Sequence, residues 1–135
     1  MAKGSGTRVD PWILKTPSGL SEFKAFQDAS ADPPALVVTA GSTELRYLLR
    51  CIDDLTSMLK SKGDWVPLGS ADEQKPAAPG TVEAWARDPK NPVGGWYGLK
   101  KGLRGRFGNY VPPVMEVLGR AEVEHNPKAN RMRSR

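Results

Sequence analysis

A chain of 135 residues has room for one compact domain, or for two very small lobes that share a core. Its 39% hydrophobic and 26% charged content excludes an intrinsically disordered protein, while 12 prolines and 14 glycines point to short elements and many turns. The net charge of +5 is confined to the C-terminal quarter: residues 1–99 hold 11 Lys/Arg against 12 Asp/Glu, and residues 100–135 hold 9 against 3.

No apolar run approaches the roughly 18 residues that span a bilayer. Met1–Arg8 lacks the apolar region of a signal peptide. Cys51 is the single cysteine, so no internal disulfide can form and no Cys cluster exists for zinc. Beside Leu48, Leu49 and Ile52 it reads as a small packed residue. The expectation is a cytoplasmic protein with no membrane contact, and nothing in the sequence sets an oligomeric state.

Residues 1–20 read as an N-terminal arm, mobile over Met1–Arg8, with Trp12, Ile13 and Leu14 docking on the body. Residues 21–68 read as a small β-β-β-α lobe. Glu22–Phe26 alternates as a strand does. Leu36–Thr39, the Gly41-Ser42 pair and Thr43–Leu48 make a tight hairpin, although Ser42–Arg46 would also tolerate helix. Ile52–Lys62 is the clearest helix. Ile52, Leu55, Met58 and Leu59 form one stripe, Asp53 and Asp54 sit in the first turn, Lys60 and Lys62 in the last, and Gly63 caps it. Trp65–Leu68 adds a short edge strand around Pro67.

Gly69–Gly80 (GSADEQKPAAPG) reads as a polar linker with Asp72 and Glu73 in solvent. The C-terminal lobe, 81–135, opens with Thr81 capping Val82–Arg87. A glycine-laden helix is expected over Trp96–Arg106, and another over Tyr110–Leu118 with Pro112 and Pro113 in its first turn. A final hairpin, Ala121–His125 and Asn130–Ser134, pairs His125 with Asn130, Glu124 with Arg131, Val123 with Met132 and Glu122 with Arg133. The fold class is therefore α+β: N-terminal antiparallel strands with one helix, then three helices and a β-hairpin, with one shared core as an open option.

The run VPPVMEVLGRAEVEHNPKANRMRS resembles the end of a winged-helix domain of bacterial transcription regulators. The whole chain also resembles a family of small, uncharacterised bacterial proteins through GSADEQKP and NPVGGWYGLKKGLRGRFGNYVPP, which implies a bacterial source and carries no activity with it. The winged-helix resemblance implies that Asn109–Leu118 enters the major groove and that the hairpin touches the minor groove or phosphates. Asn109 and Tyr110 are then the polar candidates for base edges, since this helix has no Arg or Lys. Lys100, Lys101, Arg104 and Arg106 before it, and Lys128, Arg131, Arg133 and Arg135 in the wing, suit phosphate contacts that position without specifying. Pairing of the wing arginines with Glu122 and Glu124 would silence part of that charge.

Gly98, Gly102 and Gly105 recur at helical spacing, and each costs a helix about 1 kcal/mol against alanine. They call for close packing by another element, for phosphates near the backbone (of a nucleic acid, with Trp96, Tyr97 and Phe107 to stack bases, or of a small phosphorylated ligand), or for a loop in place of the helix. Trp96 and Tyr97 are the aromatic pair least readily assigned to a core. His125 stands alone, no nucleophile motif accompanies it, and no residues fall at metal-ligand spacing, so no catalytic residues, metal or cofactor are expected. The expected partner is DNA or another nucleic acid. The alternative is a protein-interaction or scaffold module, with an enzyme third. Convergence of the lysines and arginines on one face favours the first, and neutralised arginines with scattered lysines favour the second.

Overall fold

A computed structural model describes residues 3–135. Four strands, β1 (Trp12–Lys15), β2 (Glu22–Asp28), β3 (Ala35–Ala40) and β4 (Thr43–Leu48), form an antiparallel meander in sequence order. Alternation sets its face: Phe23, Ala25, Leu36, Val38, Leu45 and Tyr47 all point into the core. The β3–β4 hairpin turns at Gly41, whose φ of +61° suits glycine, and pairs Ala40 with Thr43. Helix α1 (Cys51–Lys62) follows, with Cys51, Ile52, Leu55 and Leu59 buried and Gly63 closing it in the left-handed conformation. Burial pushes the Cys51 thiol far above its usual range, so it is a packed residue.

The arm departs from expectation. Its Trp12–Lys15 stretch is a sheet strand, and the Gly6 carbonyl accepts from the Gln27 amide while Arg8 reaches Asp28 at 2.6 Å. Gly6 lies against the Trp12 ring, where a Cβ would sit 2.3 Å from it, so residues 4–8 are tied to the sheet. The expectation of mobility over Met1 and Ala2 lies outside the described residues.

A second, three-stranded sheet has the order β5-β7-β6, from β5 (Val66–Pro67), β6 (Ala121–Val123) and β7 (Arg131–Ser134). Its hairpin register is the predicted one, with Glu122 opposite Arg133 and Val123 opposite Met132. Helix α2 is the single turn Val82–Trp85, and the Thr81 hydroxyl accepts from the Ala84 amide at 3.1 Å. Helix α3 (Phe107–Val117) starts three residues before the predicted Tyr110. Pro112 and Pro113 therefore lie in its interior, where their missing N–H groups leave the Gly108 and Asn109 carbonyls without intrahelical donors.

The helix expected over Trp96–Arg106 does not form. Residues 97–99 instead run along β4: Leu48 N–H donates to Tyr97 O and Leu99 N–H to Arg46 O, which covers that sheet edge. Gly102, at φ +90°, then turns the chain back. The C-terminal part thus lacks the middle helix of the predicted three. The buried side chains of both halves, from Trp12 to Met132, make one hydrophobic cluster. No helix among the described residues is long and apolar enough to cross a membrane.

Candidate functional site

The predicted linker is a strap laid over the N-terminal end of α3. Ala71 O accepts from the Arg106 amide at 2.7 Å, and Leu68 O accepts from the Glu83 amide. Arg87 donates to the carbonyls of Ala71, Asp72 and Lys75 and to Glu83. Glu83 is 1% exposed and also accepts from the Gly108 amide at 2.9 Å, so it caps α3 from beneath the strap. Burial pushes its carboxyl above the usual carboxylate range, against the pull of the Gly108 amide and Arg87.

Glu73 is not solvated: its side chain is 12% exposed. It accepts from the amides of Gly102 and Arg104 and from Arg104 Nε at 2.7 Å. The Arg104 guanidinium and these amides hold its carboxyl down at about 2. Arg106 pairs with Asp72.

These contacts decide among the readings of the glycines. A Cβ on Gly98 would meet Arg104 Cα at 2.4 Å, one on Gly105 would meet Glu73 N at 2.3 Å, and one on Gly108 would meet Leu68 O at 2.7 Å. Chain packs on chain at Gly98 and Gly105, and also at Gly108, whereas nothing lies within 4 Å of a Cβ on Gly102, which instead turns the chain at φ +90°. Tyr97 is 0% exposed, stacks on Trp85 with centroids 5.1 Å apart, and donates its hydroxyl to Asp54 at 2.8 Å. Trp96 is half-buried against the Arg87 and Arg104 guanidinium groups. The pair is not the exposed stacking surface expected.

Two clefts flank the strap and divide the predicted site residues. One, of about 400 Å³, lies between the β3–β4 end (Ala40, Thr43, Leu45), the strap, Leu103, Arg106 and Tyr110. The other, of about 700 Å³, is lined by Asn109, Lys128 and Arg131 with Ser70 and Pro76. Asn109 and Tyr110 therefore face different clefts. Lys100 and Lys101 stand exposed on the turn before Gly102.

Nine of the ten arginines pair with carboxylates within the chain, including Arg104, Arg106, Arg131 and Arg133; among the described residues no lysine does. On the open face of the second sheet, Arg131 and Arg133 lie over Trp65 at 5.2 and 4.5 Å and pair with Glu124 and Glu122. Glu124 is held below the usual range by Arg131.

Arg106 has an energetic peculiarity. Its φ is +59°, and it and Ala129 are the only non-glycine residues described at positive φ. For an L-residue that conformation costs roughly 1–2 kcal/mol. The Arg106 side chain is 51% exposed, and a pair so open to solvent is worth at most about 1 kcal/mol. The ion pair does not offset the strain that a glycine would remove.

His125 and Asn130 lie beyond the paired strands, and the Asn130 side chain bonds the Asn126 backbone, not His125. The His125 Nδ1 meets Pro17 O at 3.1 Å and its Nε2 meets Glu116 at 2.7 Å. Since a carbonyl only accepts, Nδ1 carries a proton. The Glu116 hydrogen bond raises the imidazole above its usual value. This stabilisation is fully present below the unfolded value of about 6.5 and is lost as pH rises through the folded one. Melting scans from pH 5.5 to 9 should show a decline in Tm for the wild type relative to His125→Gln. A constant difference between the two across that range would remove the linkage.

Sequence reasoning missed Glu73, Glu83 and Arg87. A signal existed for the last two, four residues apart on a predicted helix. None marked Glu73, whose partners lie 29 and 31 residues away. Among the described residues, no group of three or more His, Cys, Asp or Glu side chains could hold a metal ion. No curated protein matches the chain, and no solved structure does. One family model matches residues 4–135, almost the whole length, and the chain thus belongs to the DUF6855 family, a family of unknown function.

Proposed function

We propose that this protein is a non-catalytic interaction module whose partner is a protein. The observation that carries the reading is the open face of the second sheet, where Trp65 lies against Arg131 and Arg133 and each arginine has its own glutamate. A polyanion responds to summed potential, and paired charges supply little of it. A charge-balanced patch centred on Trp and Arg has instead the composition of a protein-interface hot spot.

A second reading, nucleic-acid binding, is favoured by one grouping. Asn109, Lys128 and Arg131 line a single cleft, and Lys100 and Lys101 carry no ion pair among the described residues. The helix-then-hairpin order of α3, β6 and β7 is also the order with which a winged-helix domain would end, and under that reading the cleft would hold a phosphate backbone.

Fluorescence anisotropy with labelled duplex and single-stranded DNA at two salt concentrations separates the two. Under the protein reading no salt-steep binding is expected. Micromolar binding that weakens steeply with salt, and is lost in a Lys100→Ala/Lys101→Ala/Arg104→Ala variant, would restore the nucleic-acid reading. In crosslinked cells, a partner adduct should form with the wild type and fall away with Trp65→Ala. An undiminished adduct would remove the sheet face from the proposal.

A further inference from the structure

We infer that the cleft between the β3–β4 end, the strap and the start of α3 is a binding site for a small anionic molecule with an apolar body. Three independent observations meet there. The first is the space itself, about 400 Å³, within the size range of small-molecule sites. The second is Arg106, held at φ +59° with a side chain whose ion pair does not repay the strain; strained non-glycine residues cluster at functional sites. The third is Tyr110. Its ring packs edge-on against Phe23 with centroids 5.0 Å apart, and its hydroxyl, which makes no hydrogen bond and is not a buried unpartnered atom among the described residues, is left open to a ligand.

Ligand class follows from what lines the space: Asp72 and Glu73 line it too, but the Glu73 charge is taken up by Arg104 and the Gly102 and Arg104 amides, and Asp72 meets Arg106. Arg106, at the N-cap of α3, and Tyr110, in its first turns, both line the cleft. The guanidinium has five donors in a planar fork, and one nitrogen, Nη2, meets Asp72. The free donors of Arg106 and the Tyr110 hydroxyl suit a carboxylate or a phosphate monoester. Ala40, Leu45 and Leu103 line the same cleft and suit an apolar body. Paired charge weakens the hold on a distant polyanion but leaves these short-range, directed hydrogen bonds in place, so the site does not depend on the macromolecular partner proposed above.

The test uses the full chain and amide chemical-shift titration. The probes are benzoate and phenyl phosphate, benzyl alcohol as the neutral body, and acetate and inorganic phosphate as the heads alone. Saturable shifts at Gly102, Arg106 and Tyr110 are expected with at least one of the two anionic aromatics, and the phosphate and carboxylate arms show which head is taken. The alcohol and the bare ions should bind at least about tenfold more weakly. Arg106→Gly removes the side chain at a position whose conformation glycine accepts, so the fold is kept and affinity should fall about tenfold or more. Tyr110→Phe should lose about fivefold, and Lys128→Ala, in the other cleft, should change nothing. Absence of saturable shifts with both anionic aromatics overturns the inference. So does equal binding of the bare ions, or undiminished affinity in both Arg106→Gly and Tyr110→Phe.

Discussion

Replacing Glu83 with alanine should lower stability by about 3–5 kcal/mol, the cost of breaking a buried ion pair from one side. In a chain of this length that is a fall in Tm on the order of 10–20 °C by calorimetry. The residue is 1% exposed, and its carboxylate serves Gly108 N–H at 2.9 Å and Arg87 Nη2 at 3.0 Å, with Ala71 N–H further off at 3.4 Å. Alanine leaves the first amide of α3 that Glu83 caps without an acceptor. It also leaves the Arg87 guanidinium without its counter-charge, where Nε is already buried and unpartnered. Glu83→Gln keeps a carbonyl for Gly108 N–H and should lose distinctly less. Equal losses for the two variants would mean that the charge, and not the capping of α3, is what matters. A loss below about 1 kcal/mol for alanine would mean that water reaches and satisfies both groups.

The N-terminal half was legible because its patterns are local. Period-two burial in β2 and β4, the Gly41-Ser42 turn, the apolar stripe of α1 and its Gly63 cap each follow from neighbours within a few residues. The last hairpin was legible for the same reason, since opposite charges and the Val123–Met132 pair fixed its register. The strap and the 96–106 segment were not. Their conformation is set by partners far along the chain: Tyr47 O–H on Gly105 O, 58 residues away, and Glu73 on Arg104, 31 away. Gly98 and Gly105 mark places where chain approaches closely and Gly102 a turn at positive φ, but spacing cannot separate the two causes or name the partner, and the helical spacing itself misled. The site residues were half-legible in consequence. Arg106, Tyr110, Asn109 and Lys128 do line clefts, yet the strap sets Arg106 and Tyr110 on one and Asn109 and Lys128 on the other. The wing arginines were found, with their silencing partners, because cross-strand neighbours are local information.

Gly105→Ala should cost about 3 kcal/mol or more, and so exceed Gly102→Ala, although Gly102 is the glycine at positive φ. The two test different physics. A methyl at Gly102 meets nothing within 4 Å, so its cost is the conformational one alone, roughly 1–2 kcal/mol. A methyl at Gly105 meets Glu73 N at 2.3 Å, Asp72 C at 2.6 Å and Ala71 O at 2.7 Å, all backbone atoms that cannot rotate away. The strap would have to lift from α3, although Arg106 N–H to Ala71 O and the Glu73 carboxylate hold it down. Lifting it strains the bonds that Glu83 and Arg87 make to the same segment, so Gly105→Ala and Glu83→Ala should combine to less than the sum of their separate costs. Chemical denaturation of the two single variants and the double variant reads this directly. Full additivity would mean that the strap yields locally at Asp72-Glu73 and is not one mechanical unit with the start of α3.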